Sequence, residues 1–365
     1  MTQNRNDKKI KICIVTISLS KGGAERSTAL LSKMLHSSGF EVHLVTLNDA
    51  IDYPFAGNLI NLGLNKLKKD SIFSRFLRFK KFKSIIKNEN FDYIIDNRNR
   101  QFALKELFYL NYLYKGNNIL YVVRSFKLSQ YFPDTSYVRK KMINTCKGII
   151  GVSKAISTTI NNSYHTNKAI AIYNPIAEFD KSNALLIKDN YILYLGRIEE
   201  AVKNLTLLLT AYKNSVLPEY TIKLKILGDG PDKNWLMQKI KDLELVDLVE
   251  ILPFTPNVYP YLKNAKFLTL TSRYEGFPRV LIESLSAGTP VISVDCESGP
   301  NEIIKHEDNG LLIENFDGSN KETVEKLISL AYSKIDKAVQ KGVLHANTGA
   351  ARKSSLAKAL QLAKK

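Results

Sequence analysis

The chain has 365 residues, 44% of them hydrophobic, and a formal net charge of +18. This length and apolar content are those of a globular protein with room for two domains. The three cysteines form no CxxC pair, which excludes a disulfide or zinc framework and predicts small buried residues in a reducing compartment. No apolar run has the length or position of a signal peptide or a bilayer span. We therefore expect a cytoplasmic protein, either soluble or peripheral to a membrane.

Most of the positive charge lies in two segments. Residues 62–88 contain nine basic residues and one acidic residue, and residues 331–365 contain eight basic residues and one acidic residue. The rest of the chain is nearly neutral. Concentrated cationic segments predict an anionic partner surface, either a membrane or a nucleic acid.

The first half of the chain alternates strand and helix patterns. Residues 10–17 form an apolar run rich in Ile and Val, which is typical of a parallel strand buried on both faces. A glycine turn, a helical pattern that stops at Gly39 and a second strand at 41–47 follow. This unit predicts a doubly wound parallel sheet. Further strands are predicted at 93–95, 119–123 and 148–152.

The pattern pauses near residues 173–175 and restarts after a polar stretch that ends at Asn190. Beyond this pause, strands are predicted at 191–195, 223–227, 249–252, 266–271 and 290–294. The chain is therefore predicted to contain two α/β halves joined near residues 175–190.

The first basic segment also has a helical pattern. A helix through residues 71–87 would carry aromatic side chains on one side and Lys and Arg beside them. Such a helix can lie on an anionic membrane. The alternative is that its aromatic residues face the core of the domain and its lysines are merely solvated.

Two glutamates seven residues apart form the motif with the clearest chemistry. Gly276 and Pro278 predict a tight loop that places Glu275 at the carboxyl end of a strand, where α/β sheets bind ligands. Glu283 is expected to open a helix at 284–287. Carboxylates in these positions can accept hydrogen bonds from sugar hydroxyls, and the helix N-terminus can face phosphate. The alternative is two solvated glutamates around a helix start.

Residues 265–303 resemble the donor-binding segment of the retaining glycosyltransferases of family 4. The likeness rests on the Glu-x7-Glu spacing, on AGTPV at 287–291 and on SGPNEI at 298–303, and it extends from about residue 10 to about residue 330. The resemblance implies the α/β fold called GT-B, with two Rossmann-like domains facing each other across a cleft. We expect an N-terminal acceptor-binding domain at 1–175, a C-terminal nucleotide-sugar donor-binding domain at 176–330 and an atypical basic helical tail at 331–365.

The resemblance also implies roles for particular residues. Arg197 and Lys203 would clamp the donor diphosphate, although their spacing is one residue longer than the commonest family form. Glu275 would bind the hydroxyls of the donor sugar, so the catalytic candidates are Arg197, Lys203 and Glu275. Each could instead be an ordinary surface charge. The donor-binding candidates lie in two glycine loops and in the glutamate motif: Gly22, Gly23, Gly228, Gly230, Gly276, Phe277, Pro278, Val280 and Glu283, the last on the ribose.

Three smaller observations complete the prediction. GGAER at 22–26 matches the family's first strand-to-helix turn and is not a GxGxxG loop, so a nicotinamide cofactor is not expected. Arg124, after the fourth predicted strand, is a candidate for the reaction centre or else part of a structural ion pair. No histidine has a partner at metal-ligand spacing and there is no Asp-x-Asp motif, which predicts an enzyme without a metal or other cofactor.

The tail departs from the family. Residues 334–360 resemble the C-terminal helix of a small basic protein of the bacterial small ribosomal subunit rather than a helix that packs back on the N-terminal domain. Two alternatives to an enzyme therefore stay open. One is a nucleotide-sugar-binding protein that lacks turnover because its closing helix is replaced. The other is a nucleic-acid binder, which rests on charge alone.

The favoured expectation is a hexosyltransferase-type enzyme. It would move a sugar from a nucleotide-diphosphate sugar, in particular a UDP-sugar, to a glycan or lipid-linked acceptor in the synthesis of surface polysaccharide or glycoconjugate, with retention. The expected partner surface is an anionic membrane, on the inner face of the plasma membrane, and no nucleic-acid partner is expected.

Overall fold

The computed structural model describes residues 9–20, 22–64, 71–176, 190–215 and 217–313. The chain divides into two compact units, residues 1–177 and residues 178–365. Each unit is built on one parallel sheet, which requires a crossover between successive strands. The tail at 331–365, the start of the basic segment at 65–70 and most of the predicted junction at 175–190 lie outside the described residues.

The first unit contains a seven-stranded sheet with the order β3-β2-β1-β4-β5-β6-β7. All of its described pairings are parallel. The direction of the strand order changes between β1 and β4, and ligands of such sheets bind at the carboxyl ends of the strands near this point. Its strands are β1 (Lys11–Thr16), β2 (Glu41–Thr46), β3 (Asn58–Asn61), β4 (Tyr93–Asp96), β5 (Ile119–Val123), β6 (Gly148–Gly151) and β7 (Ala169–Ala171).

The helices of the first unit are fixed by local end signals as well as by packing. The Ser71 hydroxyl accepts a hydrogen bond from the Ser74 amide at the start of α2, and Ser153 caps α5 in the same way. Asn90 ends α2 in the left-handed conformation. The helices are α1 (Gly23–Ser37), α2 (Ile72–Glu89), α3 (Ala103–Phe108), which continues into a π-helical turn (Tyr109–Leu113), α4 (Ser136–Thr145) and α5 (Lys154–Tyr164).

The second unit contains a six-stranded parallel sheet with the order β10-β9-β8-β11-β12-β13. The direction of the strand order changes between β8 and β11. The strands are β8 (Tyr191–Leu195), β9 (Lys223–Leu227), β10 (Val249–Leu252), β11 (Leu268–Leu270), β12 (Val291–Val294) and β13 (Gly310–Ile313). The helices are α6 (Glu200–Lys203), α7 (Leu205–Lys213), α8 (Lys233–Asp242), α9 (Tyr259–Asn264), α10 (Arg279–Ser286) and α11 (Pro300–Ile303).

The predicted parallel α/β sheets are confirmed, and four of the predicted strands have the predicted bounds: β5, β8, β9 and β10. The sequence prediction missed β3, β7 and β13. All three are edge strands, and an edge strand is paired on one side only, so it does not need the continuous apolar run of a central strand. All three cysteines are buried and free, as predicted.

Helix α2 confirms the predicted helix in the basic segment and shows that its two faces differ. Phe82 and Ile86 are buried in the unit. Phe73, Phe76 and Leu77 are 69%, 55% and 47% exposed. The burial of Phe82 and Ile86 agrees with the alternative that the apolar residues of this helix face the core. The exposure of Phe73, Phe76 and Leu77, however, leaves an apolar face in solvent beside the lysines. Within the described ranges, no helix combines the length and the apolar character needed to span a bilayer.

A buried network of charges follows β4, and the sequence analysis did not anticipate it. The side chains of Asp96, Arg98, Arg100 and Glu106 are all 1% exposed or less. Arg98 donates to Asp96 at 2.7 Å and to Glu106 at 3.0 Å, and its guanidinium lies 3.5 Å from the ring centroid of Tyr109. Burial alone would raise the pKa of Asp96, but the charges of Arg98 and Arg100 outweigh burial and hold that pKa below its usual range.

Removing the central guanidinium tests the stability of this network. Arg98→Met leaves two buried carboxylates without their main partner, so we expect the free energy of unfolding to fall by about 3–5 kcal/mol. Urea unfolding followed by circular dichroism measures this loss. Fluorescence would miss it, because the one tryptophan, Trp235, lies in the other unit. Lys140→Met on α4 is the control, since Lys140 is exposed and its loss should change stability by less than about 0.5 kcal/mol. Equal stability of the two variants would contradict a structural role for the network.

Candidate active site

Four loops of the second unit meet at the carboxyl edge of its sheet. They follow β8, β9, β11 and β12, which are neighbours around the point where the strand order changes. Because parallel strands all end at the same edge, side chains from distant parts of the sequence can converge there. Most of the donor-binding candidates predicted from the sequence lie in these loops.

Lys203 and Glu275 form the closest charged contact at this edge. The Lys203 Nζ atom lies 2.6 Å from Glu275 Oε1, and the two side chains are 18% and 12% exposed. The Ser272 hydroxyl donates to the same carboxylate oxygen at 2.6 Å. The Thr271 hydroxyl donates to the Lys203 carbonyl at 3.0 Å, which ties the end of α6 to the end of β11. Lys203 thus joins the glutamate motif despite its unusual spacing from Arg197.

Arg197 has a different environment. It follows Gly196 in the loop after β8, its side chain is 65% exposed, and its Nε atom lies 3.3 Å from Glu199. A charge in this position is screened by solvent, so the pair contributes little to stability. Arg197 is therefore free to turn toward an anion without breaking a buried contact.

The two glycines of the loop after β9 have a steric reason to be glycine. A Cβ atom at Gly228 would overlap the carbonyl oxygen of Gly196, and a Cβ atom at Gly230 would overlap that of Ile198. The Ile198 amide donates to the Asp229 carbonyl at 2.9 Å. The loops after β8 and β9 thus touch backbone to backbone, which fixes the position of the loop that carries Arg197.

The glutamate motif differs from its predicted secondary structure at Glu283. Helix α10 begins at Arg279, so Glu283 lies in its second turn and does not open the helix. The helix runs from Arg279 to Ser286, and Pro278 directly precedes its first turn. The Glu283 side chain is only 4% exposed, and Arg279 donates to its Oε1 atom at 3.1 Å. Arg279 was not predicted, although its i,i+4 spacing from Glu283 is a recognisable signal.

The remaining motif residues hold the loop after β11 in place. Gly276 and Pro278 are buried, and Phe277 and Val280 are half-buried. The Ser298 hydroxyl donates to the Gly276 carbonyl at 2.7 Å, which joins this loop to the loop after β12. Gly299 has a φ of 104°, a conformation that favours glycine, and a Cβ atom there would press on Pro278.

Cys296 lies in the loop after β12, and its thiol is not reactive. Burial, together with the charge of Glu275, raises its pKa to about 12. A thiol with this pKa stays protonated at neutral pH and is a poor nucleophile.

The first unit holds the other predicted site residues. Gly22 precedes α1, where the Arg26 amide donates to its carbonyl at 3.0 Å, and Gly23 is the first residue of that helix. Arg124, after β5, donates to the Asn97 side chain at 3.0 Å and also to that of Asn174. Two asparagine side chains therefore help to orient its guanidinium.

One prediction about histidine was wrong. His43 Nε2 lies 3.0 Å from Glu41, and with Glu89 these side chains come within 4.8 Å of one another, as metal ligands can. The Lys11 ammonium lies 3.1 Å from Glu41 and 3.2 Å from Glu89. The chain thus places its own cation between the two carboxylates. Glu41 and Lys11 begin their strands, so this group lies at the opposite edge of the sheet from Arg124.

Comparison with known proteins decides the family. Residues 21–178 match the model described as Glycosyltransferase Family 4, and residues 176–341 match the model described as Glycosyl transferases group 1. The chain is 31% identical over 331 residues to the N-acetylgalactosamine-N,N'-diacetylbacillosaminyl-diphospho-undecaprenol 4-alpha-N-acetylgalactosaminyltransferase of Campylobacter jejuni. The match covers 83% of this chain and 86% of that protein. The chain belongs to this glycosyltransferase family.

Two further likenesses agree with this assignment. The chain is 29% identical to the amylovoran biosynthesis glycosyltransferase AmsD of Erwinia amylovora, over 84% of this chain and 86% of that protein. A solved structure of S. aureus TarM, in complex with Fondaparinux, alpha-GlcNAc-glycerol and UDP, has a TM-score of 0.70 at 15% identity and covers 97% of this chain and 98% of its own. At that identity the structural likeness shows the fold, which is GT-B. The predicted glycosyltransferase family, the fold and the enzyme class are confirmed, whereas retention stays a prediction.

Proposed function

We propose that this glycosyltransferase moves a sugar from a nucleotide-diphosphate sugar, in particular a UDP-sugar, to a lipid-linked or glycan acceptor, with retention at the anomeric carbon. The observation that carries the proposal is the Lys203–Glu275–Ser272 cluster at the carboxyl edge of the second sheet. The UDP in the TarM complex supports the choice of donor. The diphospho-undecaprenol in the name of the Campylobacter relative supports a lipid-linked acceptor. Retention rests on the Glu-x7-Glu pattern.

The ion pair between Lys203 and Glu275 gives the cluster a way to respond to the donor. A diphosphate carries more charge than one carboxylate and would compete for the Lys203 ammonium. Glu275 would then have a carboxylate oxygen available for the hydroxyls of the donor sugar. Ser272, which already donates to Glu275, would keep that carboxylate oriented during the exchange.

The chemical step separates the sugar from the diphosphate, so negative charge grows on the leaving group. Arg197 and Lys203 would stabilise that charge, and Arg197 can do so bidentately. Glu283, held by Arg279, would bind the ribose. Arg124, oriented by Asn97 and Asn174, would contact the reacting sugar or the acceptor.

A nucleotide-sugar-binding protein without turnover is the competing hypothesis. It was suggested by the unusual tail, which lies outside the described residues. The relatives that match over most of this chain have names of transferases, which favours the enzyme. A transfer assay separates the two, because only the enzyme releases UDP from a UDP-sugar in the presence of an acceptor.

The exposed face of α2 supports a further part of the proposal, that the protein binds the inner face of the plasma membrane. Phe73, Phe76 and Leu77 share this face with Lys80 and, further along, Lys87. An apolar patch beside lysines can enter the interface of an anionic bilayer. Lys83, by contrast, donates to the Leu113 carbonyl and is partly buried. Its role is structural.

Replacing Arg197 with Ala tests its assignment to the donor diphosphate. Loss of one group that stabilises transition-state charge typically costs ~3–4 kcal/mol, so we expect turnover to fall about 10²–10³-fold. The thermal midpoint should not change, because the side chain is exposed. Release of UDP from UDP-sugars measures the rate. Lys241→Ala on α8 removes an exposed charge elsewhere in the same unit and should keep full activity. Normal turnover in the Arg197 variant would refute the assignment.

Treatment with EDTA tests metal independence. If Arg197 and Lys203 supply the positive charge at the leaving group, removal of divalent ions should leave the turnover of UDP-sugar within about twofold of the untreated enzyme. The control adds Mg²⁺ or Mn²⁺ back after dialysis. A large loss that either ion restores would show that a metal ion shares this task.

Reversing two exposed lysines tests membrane binding. Each basic residue near an anionic leaflet contributes about 1 kcal/mol, so Lys80→Glu with Lys81→Glu should weaken partitioning at least 30-fold. Co-sedimentation with vesicles of phosphatidylglycerol and phosphatidylcholine measures it. Lys239→Glu with Lys241→Glu on α8 makes the same change of charge in the other unit and should partition as the unmodified protein does. Equal loss in both variants would mean that net charge, and not α2, determines binding.

A further inference from the structure

The short helix α6, which ends with Lys203, is held by alternate residues of the loop after β11. The Thr271 hydroxyl donates to the Lys203 carbonyl at 3.0 Å, and the Arg273 amide donates to the Val202 carbonyl at 2.9 Å. Glu275, two residues further on, accepts from the Lys203 ammonium at 2.6 Å. The backbone of α6 is thus tied to this loop by contacts that do not depend on the ion pair of Lys203.

Glu200, the first residue of α6, joins this helix to three further segments. Its amide donates to an Asp232 carboxylate oxygen at 2.7 Å, directly before α8. Its Oε2 atom accepts from the Thr206 amide at 3.0 Å, in the first turn of α7. Asn204, the N-cap residue of α7, makes no side-chain capping bond with any described residue, so the Glu200 carboxylate supplies the cap. The Glu200 Oε1 atom accepts from the Arg273 guanidinium at 3.0 Å.

The ion pair between Glu200 and Arg273 serves geometry more than stability. The two side chains are 22% and 49% exposed, and solvent screens the charges of such a pair. Arg273, however, contacts α6 with both its backbone and its side chain. Together these contacts fix the distance between α6 and the loop that carries Glu275.

Lys203 depends on a fixed backbone because its ion pair must break. In the proposed function, the donor diphosphate displaces the Glu275 carboxylate from the Lys203 ammonium. A lysine side chain is a flexible four-carbon stem, so the reach of its ammonium depends on where its backbone is held. Asn204, the next residue, has a φ of 51°, which ends α6 and starts α7 in a new direction. Neighbouring segments, and not a long helix, therefore hold the backbone of Lys203.

We propose that Glu200 is a positioning residue for Lys203. Through its contacts with Arg273 and with the Thr206 amide, its carboxylate keeps α6 where the Lys203 ammonium can bind the donor diphosphate. The inference rests on the proposed function, in which Lys203 has this task. It also explains why the unusual spacing between Arg197 and Lys203 is tolerated. The position of Lys203 is set by Glu200 and by the loop after β11, and not by its distance along the chain from Arg197.

Glu200→Gln tests the proposal with a change that keeps the shape of the side chain but replaces one acceptor oxygen with a donor. Isothermal titration of the full-length chain with UDP measures affinity, and release of UDP from UDP-sugars measures turnover. A misplacement of about 1 Å can cost 10²-fold in rate, so we expect turnover to fall at least about tenfold and UDP affinity at least about threefold. The thermal midpoint should fall by less than about 5 °C, since the pair is partly exposed.

Glu250→Gln is the matched control for this substitution. It removes the carboxylate of another ion pair in the same unit, 3.2 Å from the Lys225 ammonium. It should leave both UDP affinity and turnover unchanged. Equal losses in the Glu200 and Glu250 variants would overturn the proposal, because they would show a general effect of lost negative charge.

The Lys203→Ala background shows whether Glu200 acts through Lys203. Lys203→Ala should weaken UDP binding, and Glu200→Gln added to it should cause no further loss, because residues that act through one contact are not additive. A further loss of about threefold or more would overturn the positioning role. Arg273→Gln should resemble Glu200→Gln in both backgrounds. A loss of UDP affinity with Arg273→Gln but not with Glu200→Gln would also overturn it, since Arg273 would then bind the donor directly.

UDP binding by the other variants separates this proposal from the proposed function. Absence of UDP binding by the unmodified protein would overturn the proposed function. Normal UDP affinity of Lys203→Ala would overturn the task of Lys203 and, with it, that of Glu200. Weak binding by Lys203→Ala together with normal affinity and turnover of Glu200→Gln would overturn only the positioning role and leave the proposed function intact.

Discussion

The parallel pairing of β8 with both β9 and β11 is the constraint on which the candidate site depends. It places the loops after these strands side by side, so Lys203 and Glu275, which are 72 positions apart, come within 2.6 Å of each other. On the other side of β8, Gly228 and Gly230 let the loop after β9 lie against the backbone of the loop after β8. A side chain at either glycine would displace the segment that carries Arg197.

The two units use charge in opposite ways. In the first unit, Arg98 is enclosed by Asp96 and Glu106 and has no contact with solvent, so its charge interacts only with groups of the folded protein. In the second, Lys203 has one strong partner and retains partial exposure, and Arg197 is mostly exposed. A buried ion pair is costly to break, whereas an exposed cation can exchange a carboxylate for a phosphate at small cost. This difference in burial explains why Lys203 and Arg197, unlike Arg98, suit a ligand that must bind and then leave.

Helix α2 connects the fold of the first unit to its proposed environment. Phe82 and Ile86 anchor one face in the core, which allows the opposite face to present Phe73 and Phe76 to solvent without loss of the helix. Arg75 and Arg78 of the same helix line a pocket at the carboxyl edge of the first sheet. One helix can therefore be anchored in the core and still present an apolar face to solvent, because successive side chains are rotated by about 100° around the helix axis.

The sequence alone determined the architecture, since central parallel strands must be apolar on both faces and such runs are visible in the sequence of β5 or β8. It also determined the identity of the motif residues, because the glycines and glutamates needed at the strand ends are specific in type and order. It could not find β3, β7 or β13, whose edge positions relax the apolar pattern. Only the tertiary structure decided which charges meet. The contacts of Lys203 with Glu275, and of Arg98 with Glu106, depend on angles and distances between elements that no local pattern encodes. The same reason applies to a pocket beside α2, which is lined by residues of α2 and α3 and by residues that directly follow β1, β2 and β3.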